Sequence, residues 1–211
     1  MKINIAMPVY RMPIPIETVI SISKLLKIKE HDVNLVIMSG FQTAEARNKL
    51  VDASKNSDYI FWMDADSVVE PKDLLQLLSN DKEIVTGIYT MRGFPYTPVV
   101  YRLNSQGTTY IFENEIKDGL HEIDGCGFGC CLTKTSIFND LSKPYFEFNS
   151  FGNNSTEDFD FCRKARKQFK IYADWNVKIG HVGTKVFTTK DFQRLKDNQK
   201  NMLKMVKNFE V

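Results

Sequence analysis

The sequence predicts an α/β fold in which a mostly parallel central sheet is covered by helices. Over the first 90 residues, short apolar runs of strand length alternate with segments of helical spacing, in the order strand, helix, strand, helix, strand, helix, strand. This alternation is typical of parallel sheets, because each crossover between parallel strands needs a long connection. After residue 95 the segments become shorter and glycine and asparagine turns separate them, which predicts hairpins on one side of the sheet.

The first half of the chain contains four predicted strands and three predicted helices. The strands are apolar runs: Lys2–Met7, Val33–Met38, Tyr59–Met63 and Ile84–Thr90. The helices carry aliphatic side chains three or four residues apart: Glu17–Lys29, Thr43–Ser54 and Pro71–Leu78. Thr43 is the expected N-cap of the second helix, and Pro71 suits the first turn of the third.

The second half shows weaker signals. Three short strands are predicted at Pro98–Leu103, Thr108–Glu113 and Phe128–Thr133. A helix is predicted from about Glu157 to Gln168, with Ser155 or Thr156 as its N-cap. Residues 189–211 form a closing helix with an apolar stripe on a cationic surface. We expect this helix to dock on the core, and the alternative is attachment to an anionic membrane.

The length, hydrophobic content and net charge of the chain indicate what kind of protein it is. The chain has 211 residues, 43% of them hydrophobic, which suits one domain with one substantial core. A net charge of +2 predicts no nucleic-acid partner. No apolar stretch approaches the roughly 18 residues of a membrane span, and the first residues lack the pattern of a signal peptide. We therefore expect a cytoplasmic protein without stable membrane insertion.

The four cysteines, Cys126, Cys130, Cys131 and Cys162, lack the CxxC pairs that structural zinc sites usually supply. In a reducing compartment such thiols pack as small apolar groups. We expect buried thiols and no zinc site.

The triplet Asp64-Ala65-Asp66 directly follows the apolar strand Tyr59–Met63. A strand of this kind is expected at the centre of the sheet, which places the triplet at its carboxyl end, where α/β proteins bind ligands. Two carboxylates in a half-buried cleft are costly unless a cation compensates them. Mg²⁺ or Mn²⁺ suits such oxygen ligands, and a diphosphate is its natural partner. The alternative is a solvated turn before the helix at Pro71.

Three further groups are candidates for chemistry. Glu157 and Asp158 open the predicted fourth helix, where an acid can serve as general base or simply complement the helix dipole. His181 lies in a glycine-flanked segment, and imidazole can bind Mn²⁺ beside carboxylates, although packing residues also occur in such segments. Gly125 and Gly127 do not match the dinucleotide fingerprint, and we expect them to let the chain pass close beneath a sugar.

Taken in order, these motifs resemble those of the GT-A glycosyltransferases, most closely family 2 and its small viral and prokaryotic members. The matching strings span nearly the whole chain: Met7-Pro8-Val9-Tyr10, Ala46-Arg47-Asn48, Phe61-Trp62-Met63-Asp64-Ala65-Asp66, Gly87-Ile88-Tyr89, Gly125-Cys126-Gly127-Phe128, Glu157-Asp158-Phe159-Asp160-Phe161-Cys162 and Gly180-His181-Val182-Gly183. The resemblance implies the GT-A fold, in which a Rossmann-like nucleotide-binding half with a mostly parallel sheet joins smaller acceptor-side hairpins. It implies a single domain over 1–211, with a nucleotide-sugar-binding half at 1–95, an acceptor and catalytic half at 96–188, and a C-terminal helix at 189–211.

The resemblance also implies roles for individual residues. The nucleotide-sugar would be bound by Pro8, Tyr10, Arg47, Asp64, Gly125 and Gly127. The metal, Mn²⁺ or Mg²⁺, would be held by Asp64, Asp66 and His181. Asp158 would be the catalytic base of an inverting reaction, with Glu157 as its catalytic neighbour. The implied partners are a UDP- or GDP-sugar donor and a glycan, lipid-linked or protein acceptor. For a viral member, the expected location is the host cytoplasm.

Two other functions stay open on the sequence alone. A sugar-nucleotide nucleotidyltransferase would normally carry a glycine-rich basic loop after the first strand, where this chain has Pro8-Val9-Tyr10-Arg11-Met12-Pro13. A non-catalytic sugar- or nucleotide-binding module would use the same acids only as helix caps. Metal-dependent binding of a nucleoside diphosphate would exclude the inert module.

Overall fold

A computed structural model of the chain describes residues 1–11, 13–107, 110–148, 156–183 and 186–207. Within these ranges the strands are β1 (Lys2–Val9), β2 (Asp32–Ser39), β3 (Tyr59–Met63), β4 (Ser67–Val68), β5 (Ile84–Ile88), β6 (Val100–Leu103), β7 (Tyr110–Phe112), β8 (Leu120–Ile123), β9 (Gly125–Cys126), β10 (Cys130–Lys134), β11 (Ile171–Lys178), β12 (Gly180–Val182) and β13 (Val186–Phe187). The α-helices are α1 (Ile16–Leu25), α2 (Thr43–Ala53), α3 (Pro71–Ser79), α4 (Glu157–Ala165) and α5 (Thr189–Lys207). A short 3-10 helix covers Thr135–Asn139.

The central sheet has seven strands in the order β2-β1-β3-β10-β5-β11-β8. β1 pairs in parallel with both β2 and β3, and β5 pairs in parallel with β11. β10 is antiparallel to its neighbours β3 and β5, and β8 is an antiparallel edge strand. The predicted α/β class with a mostly parallel sheet is confirmed.

Two small sheets flank the central one. β6 pairs with β7 as an antiparallel hairpin and with β9 on its other side, which confirms a predicted hairpin after residue 95. β12 pairs with β13 and with β4. β4 begins directly after the Asp64-Ala65-Asp66 triplet. The second small sheet therefore joins β12, near the C-terminal helix, to the segment that follows β3.

The predicted strand Phe128–Thr133 exists as β10, but its expected place in a lateral hairpin is wrong. β10 lies between β3 and β5, with Leu132 opposite both Phe61 and Val85. Cys130, Cys131 and Leu132 are almost fully buried, as befits a strand covered on both faces. These pairings join residues about 50 and 70 positions apart in the chain, and local periodicity carries no signal for them.

The helix ends differ from prediction in ways that have local causes. α1 ends at Leu25, short of the predicted Lys29, and a tighter turn brings Ile28 into the core. Gln42 rather than Thr43 is the N-cap of α2. α3 begins at Pro71 as predicted, and Glu70 and Asp73 form a reciprocal capping box.

Two ends in the second half also differ from prediction. Thr156 is the N-cap of α4, although its hydroxyl donates to the Asp158 carboxylate and accepts no hydrogen bond from the helix backbone; Ser155 lies outside the described residues. α4 ends at Ala165, before the predicted Gln168. In α5, Phe192 is 2% exposed, which supports docking at the start of the helix. The rest of the apolar stripe predicted for this helix, the side chains of Met202 and Val206 and residue 209, lies outside the described part.

The core has two layers, one on each face of the central sheet. One layer centres on Trp62, Phe128, Phe146 and Phe161, whose rings pack at centroid distances of 4.7–5.5 Å for the contacts among them. The other gathers aliphatic side chains of α1 and α3 against the opposite face. All four cysteines are buried free thiols within these layers, as predicted. None of the described helices is both long enough and apolar enough to cross a bilayer.

Candidate active site

A cleft of about 850 Å³ opens where β1, β3 and β5 end. The parallel strands of a sheet present their carboxyl ends on one edge, so residues distant in sequence meet there. The end of β1 contributes Pro8 and the residue two positions on, Tyr10; β3 is followed by Asp64 to Asp66, and β5 by Tyr89. Further lining residues come from α2, from α4 with its N-cap, from β12 and from the loop after β5: Arg47, Thr156, Glu157, Asp158, Phe159, His181 and Arg92.

Asp66 and His181 face each other across the cleft floor. The Asp66 Oδ1 and His181 Nε2 atoms are 3.3 Å apart. Backbone pairing fixes this meeting, because His181 lies opposite Ser67 in the β4–β12 ladder and Val182 N donates to the Asp66 carbonyl at 2.7 Å. Thr90 holds the other ring nitrogen: its carbonyl oxygen accepts from His181 Nδ1 at 2.9 Å. A carbonyl can only accept, so Nδ1 carries a proton.

Asp66 and His181 shift each other's pKa. Burial raises the pKa of Asp66, but the hydrogen bond from His181 and the charges of His181 and Arg92 outweigh burial and leave this pKa below its ordinary value. Burial lowers the pKa of His181, but the hydrogen bonds to Asp66 and to the Thr90 carbonyl, together with the charge of Asp66, outweigh burial, so the pKa of His181 is raised. The pair therefore favours a carboxylate next to an imidazolium.

Arg47 lies beneath the cleft floor and joins two of the predicted acids. Its side chain is 3% exposed. Nη2 donates to Asp64 Oδ1 at 3.0 Å, and Nε donates to Glu157 Oε1 at 3.0 Å. The guanidinium also lies against the aromatic layer, 5.2 Å from the centroid of the Phe128 ring. Burial would lower the pKa of Arg47, but the charges of Asp64 and Glu157 hold this pKa above its ordinary value.

These contacts give Glu157 and Arg47 a structural role beside the roles that the resemblance implies. Glu157 is buried and paired with Arg47, which anchors α4 against α2. Arg47 is committed to two carboxylates, and its Nη1 atom is buried without a hydrogen-bond partner among the described residues. The physical cause is burial, because a charge removed from water must be paired.

Asp158 lines the cleft one residue beyond Glu157. Its Oδ1 accepts from the Thr156 hydroxyl and from Phe159 N, the latter at 2.9 Å. Burial, followed by the nearby charge of Glu157, raises the pKa of Asp158 to about 6, and Arg47 opposes this rise. A carboxyl with this pKa is ionised at neutral pH and basic enough to accept a proton.

The predicted metal ligands do not all converge. Asp66 and His181 meet, whereas the Oδ1 of Asp64 is taken by Arg47. Across the described residues, no three His, Cys, Asp or Glu side chains are grouped closely enough to hold a metal ion on their own. Two protein ligands are nevertheless sufficient where a substrate phosphate supplies others, as is usual for Mg²⁺.

The two predicted donor-site glycines, Gly125 and Gly127, are not among the described residues that line the cleft. Gly125 lies in β9, paired with Tyr101. A Cβ on Gly127 would collide with the Tyr89 hydroxyl and lie 2.6 Å from Val99 Cγ1. Position 127 therefore requires glycine, because a larger residue would displace Tyr89 and Val99, which line the cleft.

Among the lining residues to which the sequence analysis gave no role are Tyr89 and Arg92. Tyr89 is only 4% exposed, and its hydroxyl accepts from Gly129 N at 3.1 Å; it was part of a matching string but received no role. Arg92 Nη1 donates to Asp66 Oδ2 at 2.8 Å. Nothing in the local sequence Met91-Arg92-Gly93 distinguishes this arginine from an ordinary loop residue.

Comparisons with known proteins identify the family and the fold. Residues 16–142, more than half of the chain, match the family model described as Glycosyl transferase family 2. The solved structure of A197 from STIV is similar with a TM-score of 0.63 and 23% identity, over 87% of this chain and 86% of that one. None of the curated proteins compared with the chain matches it.

A second solved structure, GalNAc-T7 with UDP, GalNAc and Mn²⁺, has a TM-score of 0.56 and 11% identity. The match covers 93% of this chain but 47% of that one, so this chain spans about half the length of GalNAc-T7. At these identities the two structures establish the fold, and the family match selects glycosyl transfer over the alternatives that the sequence left open. The chain belongs to glycosyl transferase family 2 and is a glycosyltransferase with the GT-A fold.

Proposed function

We propose that the protein is a metal-dependent, inverting glycosyltransferase. It moves a sugar from a nucleoside-diphosphate sugar, linked to UDP or GDP, to a hydroxyl of a glycan, lipid-linked or protein acceptor. The observation that carries the proposal is the pairing of Asp66 with a histidine whose Nδ1 is held by the Thr90 carbonyl. Histidines that bind metals are oriented in this way by a second partner.

The side chains present fit a divalent cation. Asp66 Oδ1 and His181 Nε2 are 3.3 Å apart, so these two atoms would hold the ion. Mn²⁺ or Mg²⁺ suits this mixture of carboxylate and imidazole together with oxygens of a diphosphate. Asp64 lies at the same edge and would add negative charge near the ion. When bound, the cation supplies positive charge that stabilises the departing nucleoside diphosphate.

The donor is proposed to lie along the carboxyl edge of the sheet. Pro8 and Tyr10 offer an apolar surface for the base, and Tyr10 is 39% exposed in the cleft. Arg47 lies at the same edge and would place its positive charge near the diphosphate. GalNAc-T7, which was solved with UDP and Mn²⁺, supports a donor of this class for a similar fold.

Asp158 is proposed as the general base. The carboxylate takes the proton of the acceptor hydroxyl while the acceptor oxygen bonds to the anomeric carbon. The bond between that carbon and the diphosphate oxygen breaks on the opposite side, which inverts the configuration. Arg47 and Glu157 support the base by fixing the first turn of α4 relative to α2.

The experiment is a screen of UDP- and GDP-sugars for hydrolysis and transfer, with Mn²⁺ or with EDTA. Wild type should consume one donor only when the metal is present. Asp158→Asn should keep donor affinity and lower turnover by roughly 10²–10⁴-fold, whereas His181→Ala should weaken metal-dependent donor binding. Equal loss of donor binding in both variants with unchanged turnover would show that these roles are assigned wrongly.

The cytoplasm is the proposed location. All four cysteines are free, and unpaired buried thiols are typical of a reducing compartment. Cell fractionation with an antibody to the protein tests this, and recovery from an oxidising compartment contradicts it.

A further inference from the structure

Asp66 is one of the proposed metal ligands. Both of its carboxylate oxygens already have partners in the protein. Oδ1 faces His181 Nε2, and Oδ2 accepts from Arg92 Nη1 at 2.8 Å. A guanidinium therefore stands next to the carboxylate that we propose as a metal ligand. A divalent cation held by Oδ1 and His181 Nε2 would displace the Nε2 proton and lie beside this guanidinium, so the two positive charges would repel each other.

The two arginines of the cleft differ in how firmly they are held. Arg47 is 3% exposed and has two carboxylate partners. The side chain of Arg92 is 44% exposed, while that of Asp66 is 12% exposed. Pairs with a half-exposed partner contribute little to stability, because water replaces the lost contact. Arg92 can therefore leave Asp66 at low cost, whereas Arg47 cannot leave its partners.

The backbone around Arg92 is also suited to movement of its side chain. Met91–Thr97 projects from the sheet as a loop closed on itself, with Met91 N donating to the Thr97 carbonyl and Tyr96 N to that of Gly93. Phe94 at its tip is 74% exposed, and a Cβ on Gly93 would meet nothing within 4 Å. The loop around Arg92 is therefore open to solvent, and the Arg92 side chain itself is 44% exposed.

We infer that Arg92 is an exchangeable counter-ion: it neutralises Asp66 in the metal-free protein, and it turns to the donor diphosphate when a divalent cation takes its place. The inference rests on the proposed function and adds a residue to the donor site. A guanidinium suits the second role, because its fork of N–H groups matches phosphate oxygens. The exchange keeps Asp66 paired in both states, so no uncompensated carboxylate is left in the cleft.

If Arg92 exchanges in this way, Arg92→Ala should change Mn²⁺ binding and UDP binding in opposite directions. Titration calorimetry with MnCl₂ alone should show Mn²⁺ binding about two- to five-fold tighter than in wild type, since the cation no longer competes with an ion pair. Titration with UDP in saturating Mn²⁺ should show binding weakened about tenfold or more, since a charged hydrogen-bond donor to the diphosphate is lost. A variant that is merely misfolded would weaken both.

Arg102→Ala is the matched control. The side chain of Arg102 is 40% exposed and pairs with Glu113, which is 10% exposed, so the ion pair resembles that of Arg92 and Asp66. Arg102 is not among the described residues that line the cleft. Neither titration should change in this variant, and thermal melts of both variants should stay close to that of wild type.

Three results would overturn the inference. Mn²⁺ binding that is unchanged or weaker in Arg92→Ala shows that no competition exists. UDP binding that is unchanged shows that Arg92 does not reach the diphosphate. UDP binding by wild type that persists in EDTA and disappears in Arg92→Ala shows that Arg92 replaces the metal permanently. A wild-type protein that binds neither Mn²⁺ nor UDP contradicts the proposed function itself.

Discussion

Replacing Arg47 by methionine tests whether this buried cation holds the active site together. The change keeps the aliphatic stem against the aromatic layer but removes the charge between Asp64 and Glu157. Breaking a buried pair costs about 3–5 kcal/mol, because the remaining charge is left uncompensated. Asp64 is 30% exposed, so the lower end, about 3 kcal/mol, is expected. For a domain of this size that lowers the melting temperature by about 6–12 °C.

The dependence on pH identifies the cause of this loss. Burial raises the pKa of Asp64 even in the presence of Arg47, and removal of Arg47 raises it further. A carboxyl whose folded pKa lies above its unfolded pKa destabilises the protein at high pH, and this penalty is relieved as the pH falls through the folded pKa. The difference in melting temperature between Arg47→Met and wild type should therefore shrink from pH 8 to pH 5.

Thermal melts followed by circular dichroism measure both effects. Lys24→Met is the control, because the Lys24–Glu70 pair has a similar N–O distance of 2.8 Å but both side chains are almost half exposed. It should lower the melting temperature by at most about 4 °C. An Arg47→Met variant that melts within about 2 °C of wild type at pH 7.5, or whose deficit grows toward pH 5, would refute this account of the site.

Two further predictions address the base and the cleft wall. Because the pKa of Asp158 is raised to about 6, turnover at saturating donor should fall about tenfold per pH unit below pH 6; a profile that stays flat down to pH 5 contradicts Asp158 as base. Gly127→Ala should destabilise the protein by about 1–3 kcal/mol, since its Cβ would force Tyr89 and Val99 aside. Gly93→Ala, where a Cβ meets nothing within 4 Å, is its control in urea titrations, and equal stability of the two variants would contradict this reading of Gly127.

The parts of the fold that depend on local signals could be predicted from the sequence. The run Tyr59–Met63 is apolar at every position, which indicated a central strand, and its burial on both faces agrees. Pro71 marked the first turn of α3 because proline fits that position. Once β3 was placed in a parallel sheet, the triplet at residues 64–66 had to lie at the carboxyl edge.

Long-range pairing could not be predicted in the same way. β11 contains buried polar Asp174 among apolar residues, which hides the pattern of a strand; in the fold, Gln76 and Asn80 donate to this carboxylate from α3. β10 has the local pattern of a strand, but nothing in it specifies β3 and β5 as neighbours. Such partners are selected by tertiary packing, which outweighs local propensity.

The same distinction applies to the site. Asp66, Asp158 and His181 could be named from motif order, and the structure brings all three to one cleft. The contact between Arg92 and Asp66 joins a loop to the end of another strand, 26 residues earlier. Gly127 was expected to let the chain pass close beneath a sugar. In the structure the backbone at Gly127 passes close to the Tyr89 side chain.

Titration calorimetry with UDP, with Mn²⁺ or EDTA, tests most directly the claim that Asp66 and His181 hold a cation for a nucleoside diphosphate. Wild type should bind UDP only with Mn²⁺, and Asp66→Asn, which keeps the shape of the side chain but removes its charge, should lose this metal-dependent binding. Asp124→Asn, at an acid paired with Arg166 away from the cleft lining, should bind like wild type. Equal UDP binding by wild type and Asp66→Asn in the presence of Mn²⁺ would contradict the metal site on which the proposed mechanism depends.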